Sequence, residues 1–196
     1  MIELILEIRN RAKDIAAVYP VSHETGKLLQ ILIRLSKAEK ILELGLGYGA
    51  SALYIAAALP IRGQLDSIEV NTENAAVAAS YIGKAGLSGR VNIMTGDART
   101  VLAKLQDQYD GVFLDFEVGC YCECLDEIIR ITKPGGFILT ENIWDEPTAY
   151  KIGGIQTVKS IQSYQSRIST YEGLDNSKID DCILTFKSSS VVAGGN

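Results

Sequence analysis

A glycine-dense stretch decides the fold, and over residues 41–51 it reads Ile41-Leu42-Glu43-Leu44-Gly45-Leu46-Gly47-Tyr48-Gly49-Ala50-Ser51. The apolar run before the first glycine predicts a buried strand, and the apolar residues that follow Ser51 predict a helix. From this stretch onwards, short apolar runs alternate with helical patterns. Because such alternation requires crossovers between parallel strands, the sequence predicts a doubly wound α/β fold.

The predicted strands are short apolar runs bounded by Gly, Pro or charge. Five of them cover residues 40–46, 64–70, 91–96, 111–116 and 137–140, with helical patterns between them at 51–59, 72–85, 98–105 and 121–131. Two helices come first, one running from Ile2 towards Ala16 and one capped by Ser22. After Trp144 a further helix is expected over residues 147–162.

Two more strands are predicted near the end of the chain, at residues 166–171 and 182–187. The link between them is too short for a helical crossover, so we expect the pair to be antiparallel. The prediction is a seven-stranded sheet, mostly parallel with an antiparallel edge strand, in a single domain over residues 1–187. The small and polar residues 188–196 predict a flexible tail.

Composition limits the classes of partner. The 196 residues carry 19 basic and 24 acidic side chains, a net charge of -5, which matches nucleic acid or anionic membrane poorly. The longest strongly apolar stretch, residues 52–61, is too short to span a membrane, and the N-terminus lacks the pattern of a secretory signal. We therefore expect a cytoplasmic protein with no membrane partner, whose 4 cysteines are reduced thiols.

The glycine stretch also predicts a ligand site, because ligands of open α/β sheets bind beyond the carboxyl ends of the strands. Gly45, Gly47 and Gly49 are spaced G-x-G-x-G, which fits an adenosyl group better than the G-x-G-x-x-G of dinucleotide sites. Glu69 ends the second strand, where a carboxylate accepts the two hydroxyls of a ribose. A nucleoside-type cofactor is expected.

Several motifs in order resemble one family. Residues 41–51 resemble motif I of class I S-adenosylmethionine (SAM)-dependent methyltransferases, and Lys133-Pro134-Gly135-Gly136 resembles a turn that those enzymes share. The stretches 22–26, 96–98 and 141–144 extend the resemblance to the catechol O-methyltransferase-like family, over about residues 21–187. It implies a Rossmann-like fold and SAM-dependent transfer of a methyl group to a hydroxyl.

The resemblance also implies the residues of the cofactor site. In the family, the glycine turn and Ser51 cradle the methionine part, Glu69 binds the ribose, and Phe116 lies against the adenine. Asp97, which could equally be a helix cap, borders the adenine, and Phe116 could equally belong to the core. The implied cofactor-binding residues are Glu43, Gly45, Gly47, Gly49, Ser51, Glu69, Val70, Asp97, Ala98, Asp115 and Phe116.

An acidic set at two neighbouring strand ends predicts a divalent metal. Asp115 follows the fourth strand, and Glu141 and Asn142 follow the fifth. Two carboxylates and an amide oxygen suit Mg²⁺ or another hard divalent cation. In the family the matching residues are usually Asp, Asp and Asn, so Glu141 is one methylene longer than the resemblance leads one to expect.

One position departs from the family pattern. Three residues after the metal-binding Asp the family normally carries a Lys that acts as general base, and here that residue is Val118. Glu117 and Tyr121 are the candidate replacements beside Asp115, or the metal-bound hydroxyl ionises without a base. The methyl acceptor therefore need not be a catechol.

Three functions stay open at this stage. The first is a metal-dependent O-methyltransferase for a small phenolic or vicinal hydroxyl compound. The second is a tRNA hydroxyuridine methyltransferase, which a basic face with Arg9, Arg11 and Lys13 would favour. The third is a SAM-binding protein without catalysis. The resemblance further implies a homodimer.

For several other residues the sequence leaves a functional and a structural role open. Cys120, Cys122 and Cys124 lack paired C-x-x-C spacing, so packing is favoured over a zinc site with Cys182. His23, the only histidine, is either near the acceptor or at the exposed start of a helix. Tyr19 and Trp144 either line the acceptor site or belong to the core.

Overall fold

The computed structural model describes residues 1–13, 15 and 18–189. The chain divides into two compact units, Met1–Val101 and Leu102–Asn196, and each is described by itself. Part of the tail predicted over 188–196 and the predicted end of the first helix, at Ala16, lie outside the described residues.

The first unit alternates helices and parallel strands. The strand β2 lies between β1 and β3, with Leu44 opposite Ile68 and Glu69 opposite Thr95, so that the carboxyl ends of the strands share one edge. The elements are α1 (Ile2–Ala12), α2 (His23–Ser36), β1 (Lys40–Leu44), α3 (Ala50–Ala58), β2 (Gln64–Glu69), α4 (Thr72–Lys84), β3 (Val91–Thr95) and α5 (Ala98–Leu102).

Local sequence explains the helices around β1. The Ser22 side chain accepts a hydrogen bond from the Thr25 amide at 2.9 Å, which confirms it as the cap of α2. The helix α3 is buried almost all round, as expected for a helix that is apolar on every face. It begins directly after the glycine turn, which places that turn between a buried strand and a buried helix.

The second unit holds the remaining strands. β4 and β5 are parallel, whereas β5 with β7 and β7 with β6 are antiparallel, in the order β4-β5-β7-β6. The elements are β4 (Tyr109–Leu114), a 3₁₀ turn (Val118–Cys120), α6 (Tyr121–Ile131), β5 (Thr132–Thr140), α7 (Glu146–Ile168), β6 (Leu174–Ile179) and β7 (Cys182–Lys187). The α/β fold class, with seven mostly parallel strands and an antiparallel edge, is confirmed.

The strand predicted over residues 166–171 is wrong. Residues up to Ile168 continue α7, because Val158, Ile161 and Ile168 extend one buried helical face. The strand lies further on, as β6, and a two-residue link of Asp180 and Asp181 joins it to β7. The antiparallel pairing that was expected is confirmed with this shifted partner.

The helix α7 is also longer than predicted and is kinked. Gly153 and Gly154 have non-helical backbone angles, with φ of 69° at Gly154, and separate two helical arms. No helix in the described residues is both long and apolar enough to cross a membrane.

Candidate functional site

The glycine turn of the first unit adopts a backbone that favours glycine. Gly45, Gly47 and Gly49 have φ of 96°, 52° and 89°. A Cβ atom at Gly49 would lie 3.2 Å from the Ala78 Cβ, so this residue also permits close packing against α4. The turn therefore exposes backbone rather than side chains at the carboxyl end of β1.

Glu69 fastens this turn. Its Oε2 accepts a hydrogen bond from the Gly47 amide at 2.8 Å, and its Oε1 accepts one from the Asn71 amide at 2.9 Å. The residue is 7% exposed. Because each carboxylate oxygen has two lone pairs, Glu69 can hold the turn and still accept hydrogen bonds from two ligand hydroxyls. These acceptor oxygens fit the two hydroxyls of a ribose.

The other implied cofactor residues of the first unit differ in environment. Glu43 is fully buried, and its Oε2 accepts a hydrogen bond from the Ser67 hydroxyl at 2.6 Å. Ser51 is buried in the first turn of α3, whereas Val70 is exposed directly after β2. Glu43 thus braces neighbouring strands within the unit, while Val70 is open to contact.

Asp97 lies between the end of β3 and the start of α5, and Ala98 is the first residue of that helix. The Asp97 Oδ1 accepts a hydrogen bond from the Arg99 amide at 2.9 Å, the capping contact that sequence allowed. The Arg99 guanidinium lies 2.6 Å from Oδ2, and its hydrogen bonds lower the pKa of Asp97 to about 2. Asp97 is therefore an anion with its charge already partnered.

In the second unit, Asp115 meets Asn142. The Asn142 amide nitrogen donates to Asp115 Oδ1 at 2.7 Å, and Asn142 has a left-handed φ of 65°, which few residues other than glycine adopt. Burial raises the pKa of Asp115 to about 6, although the hydrogen bond from Asn142 acts in the opposite direction. The carboxyl ends of β4 and β5 thus bring together two of the three predicted metal ligands.

Glu141 is placed differently. Its amide continues the pairing of the strands by donating to the Leu114 carbonyl at 2.9 Å. Its Oε2 lies 3.9 Å from the thiol sulfur of Cys182, which donates to it. Within the described residues, no group of three or more His, Cys, Asp or Glu side chains is arranged to hold a metal. The Asp115 carboxylate and the Asn142 amide carry oxygens of the kind that a hard cation binds, whereas the Glu141 carboxylate lies beside a thiol.

The candidate proton acceptors show contrasting surroundings. Val118 is buried in the 3₁₀ turn after β4 and carries no ionisable group. Glu117 is exposed and accepts a hydrogen bond from the Gly119 amide at 3.4 Å. Tyr121 is fully buried, and burial, followed by the charge of Asp115, raises its pKa well above the usual value. Tyr121 is therefore a protonated phenol that suits donation better than acceptance of a proton.

Sequence reasoning missed an aromatic cluster behind these residues. The ring centroid of Tyr121 lies 5.1 Å from that of Phe116 and 5.5 Å from that of Tyr164. The Tyr164 and Thr140 hydroxyls are hydrogen-bonded at 2.6 Å. Tyr164 was missed because the predicted helix ended at residue 162. The signal that could have found it is its helical spacing from Ile161 and Ile168.

The remaining candidates have structural partners. His23 begins α2 as an exposed residue, and its Nδ1 lies 2.8 Å from the Tyr54 hydroxyl. Of the predicted basic face, Arg9 donates to the Val21 carbonyl and Arg11 lies over the Tyr48 ring, 5.5 Å from its centroid.

Aromatic and sulfur side chains complete the set. Tyr19 is 83% exposed and so is not a core residue, and Trp144 is half-buried. All four cysteines are thiols, with Cys124 and Cys182 buried and Cys120 and Cys122 half-buried.

Comparison with known proteins places these features in a family. The family model described as O-methyltransferase matches residues 2–169. A catechol O-methyltransferase from Niastella koreensis is 38% identical over 127 residues, which cover 63% of this chain and 58% of the relative. The chain thus spans about three fifths of the length of the curated relatives that it matches.

Solved structures share the fold. An O-methyltransferase from Streptomyces achromogenes, involved in tomaymycin synthesis and solved with SAM, has a TM-score of 0.85 at 25% identity, covering 95% of this chain and 90% of its own. An O-methyltransferase from Bacillus cereus has a TM-score of 0.83 at 23% identity, covering 95% of this chain and 91% of its own.

Proposed function

The chain belongs to the O-methyltransferase family, and from that premise we propose that it transfers the methyl group of SAM to a hydroxyl of a small phenolic acceptor. The observation that carries the proposal is the buried Glu69 carboxylate fastened to the Gly47 amide at 2.8 Å. This arrangement presents both an anion and a bare glycine backbone at the end of a parallel strand, where a nucleoside cofactor binds.

The first unit is proposed to hold the cofactor. Glu69 accepts the ribose hydroxyls, and the turn from Gly45 to Gly49 with Ser51 receives the methionine part. Asp97 and Ala98 border the adenine. The solved relative from Streptomyces achromogenes contains SAM, which supports this assignment.

The second unit is proposed to bind and orient the acceptor. Asp115 and Asn142 would hold a divalent cation, with Glu141 as a third ligand, and a bound cation lowers the pKa of a coordinated hydroxyl. Asp115 and Phe116 are also proposed to contact the cofactor. Because these residues follow adjacent parallel strands, their positions are fixed by the hydrogen bonds of β4 and β5.

Glu117 is the proposed proton acceptor. Its carboxylate is exposed, unlike the Tyr121 phenol, and Val118 cannot take a proton. Tyr121 is proposed to contribute as a donor that holds the neighbouring backbone. The homodimer and the cytoplasmic location are parts of this proposal that rest on the resemblance and the sequence alone.

A methyl-transfer assay tests the function. Purified protein is incubated with SAM carrying a labelled methyl group and with a panel of catechols or undermodified tRNA, in Mg²⁺ and in chelator. We expect labelled catechol in Mg²⁺ and a large loss of product in chelator. Label in tRNA instead would move the function to the hydroxyuridine alternative, and binding of SAM without any transfer would leave a non-catalytic binding protein.

A further inference from the structure

Arg99 holds both oxygens of the Asp97 carboxylate. Its backbone amide donates to Asp97 Oδ1 at 2.9 Å. Its guanidinium donates from Nε to the same oxygen at 3.0 Å and from a terminal nitrogen to Oδ2 at 2.6 Å. Paired hydrogen bonds from one planar guanidinium fix the orientation of a carboxylate as well as its position. The Asp97 carboxylate is therefore oriented, although its side chain is 40% exposed.

The backbone places this pair beside Glu69. Thr95 is the partner of Glu69 in the parallel register of β2 and β3, and the Gly96 amide donates to the Glu69 carbonyl at 2.9 Å. Asp97 is the next residue, so Asp97 and Glu69 lie at the same edge of the sheet within the first unit. The proposed contact of Asp97 with the adenine agrees with this arrangement, because the base and the ribose of a nucleoside are directly bonded.

The chemistry of the base determines what Asp97 can recognise. An ionised carboxylate only accepts hydrogen bonds, and the hydrogen bonds from Arg99 lower the pKa of Asp97 to about 2, so it stays ionised at neutral pH. When adenine is attached to ribose, its N–H donor is the 6-amino group. Hypoxanthine carries an oxygen at that position and an N–H at the neighbouring ring position N1. The two bases therefore offer their donors at different places.

The orientation of the carboxylate decides whether that difference matters. The last torsion angle of an aspartate side chain is broad, so an unrestrained carboxylate rotates easily. A rotating carboxylate can accept from the 6-amino group of adenine or from N1–H of hypoxanthine. A carboxylate held by two guanidinium hydrogen bonds offers its lone pairs in fixed directions and cannot adapt to both bases. Arg99 therefore controls how strictly Asp97 distinguishes them.

We propose that Arg99 is a positioning residue of the cofactor site, which fixes the Asp97 carboxylate so that the site prefers the 6-amino group of adenine to the 6-oxo group of hypoxanthine. The proposal rests on the proposed function for the contact between Asp97 and the adenine. Arg99 acts through Asp97 and does not itself contact the base. Because this ion pair is partly exposed to solvent, the effect of removing Arg99 is modest.

Ligand binding without turnover tests this role. S-adenosylhomocysteine, which is SAM without its methyl group, and S-inosylhomocysteine, its 6-oxo counterpart, are each titrated into the protein by isothermal titration calorimetry. We expect about tenfold tighter binding of the 6-amino ligand, since one hydrogen bond to a charged group separates the two. Arg99→Gln should reduce this ratio of affinities about threefold. Arg99→Lys should restore part of the ratio, because an ammonium keeps the charge but not the paired geometry.

A double-mutant cycle shows whether Arg99 acts through Asp97. Asp97→Ala removes the carboxylate, so adding Arg99→Gln to that variant should leave the ratio unchanged. Lys84→Gln is the matched control, because it breaks the ion pair of Lys84 with Glu7 in the same unit, and the Lys84 and Arg99 side chains are both 51% exposed. The control should keep the ratio of the unsubstituted protein.

The failures can be told apart. Equal affinity of the unsubstituted protein for the two ligands would overturn the positioning role, as would an equal fall of the ratio in Lys84→Gln. Weakening of both ligands by the same factor in Arg99→Gln, which loosening of α5 would produce, would also overturn it. A further fall when Arg99→Gln is added to Asp97→Ala would show that Arg99 contacts the base itself. The expected ratios without methyl transfer to any catechol would refute the proposed function alone, and lack of binding of either ligand would refute both.

Discussion

The Tyr121 hydroxyl donates a hydrogen bond to the backbone carbonyl oxygen of Glu141 across 3.1 Å. It joins the first residue of α6 to the end of β5, where Asn142 takes its left-handed conformation. The ring of Tyr121 is held between Phe116 and Tyr164. Tyr121 thus holds the backbone that presents Asn142 to Asp115. Its phenol stays protonated because its pKa is raised.

Replacing Tyr121 by Phe removes this hydrogen bond and keeps the ring. We expect Tyr121→Phe to lower the free energy of unfolding by about 1–2 kcal/mol, since the half-buried Glu141 carbonyl loses the hydrogen bond from this hydroxyl. The Mg²⁺ concentration for half-maximal activity should also rise, because Asn142 is less firmly placed. Thermal denaturation and a Mg²⁺ titration measure the two effects.

Tyr150→Phe is the matched control, because Tyr150 is 62% exposed in the same unit. It should leave both quantities unchanged. If Tyr121→Phe abolished methyl transfer at every Mg²⁺ concentration while its stability was unaltered, a role in proton transfer would replace the supporting role.

Glu69 is expected to control cofactor affinity. Glu69→Gln keeps the size of the side chain but replaces one acceptor oxygen by a donor, which opposes the Gly47 or Asn71 amide. We expect SAM binding to weaken by about tenfold to a hundredfold, as isothermal titration calorimetry would show. Glu73→Gln, on the exposed first turn of α4, is the control and should bind SAM normally.

How much of the structure can be predicted from the sequence depends on how far apart along the chain the interacting residues lie. The turn from Gly45 to Gly49, its distance to Glu69 and the strand ends at Asp115 and Glu141 follow from local periodicity and glycine spacing. The position of β6 did not follow, because the β-branched and aromatic residues after Ser166 resemble a strand until the buried face of α7 is seen to reach Ile168.

The contacts within the candidate site were even harder to predict from the sequence. The Tyr121 hydroxyl meets Glu141 from 20 residues away, and the Cys182 thiol meets it from 41 residues away. Such pairings depend on how α6 and β7 pack, which no local pattern records. For the same reason the sequence predicted the grouping of Glu141 with Asp115 and Asn142 but not the Cys182 thiol beside its carboxylate.

A side chain at Gly49 of the glycine turn should destabilise the protein more than one at an open glycine elsewhere. Gly49 has φ of 89°, and a Cβ there would lie 3.2 Å from the Ala78 Cβ, so Gly49→Ala combines backbone strain with crowding. We expect a loss of about 1–3 kcal/mol in the free energy of unfolding, measured by urea denaturation. Gly89→Ala is the control, since nothing lies within 4 Å of a Cβ there and its φ is not left-handed. Equal stability of the two variants would show that the turn relaxes at no cost.

Asp115 should give the metal-free protein a characteristic dependence on pH. Its pKa is about 6 in the folded protein and 3.8 in the reference state, so the folded state binds the proton more tightly. The resulting stabilisation is complete below pH 3.8 and is lost as pH rises through about 6, for a difference on the order of 3 kcal/mol at most. Denaturation in chelator should therefore show that Asp115 stabilises the folded state increasingly as pH falls from 7 towards 4.

Asp115→Asn should remove this contribution, which is found by subtracting the pH profiles of the two proteins so that other titrating groups cancel. A divalent cation that binds at Asp115 would compete with the proton and flatten the difference, whereas identical profiles with and without Mg²⁺ would argue against metal binding there.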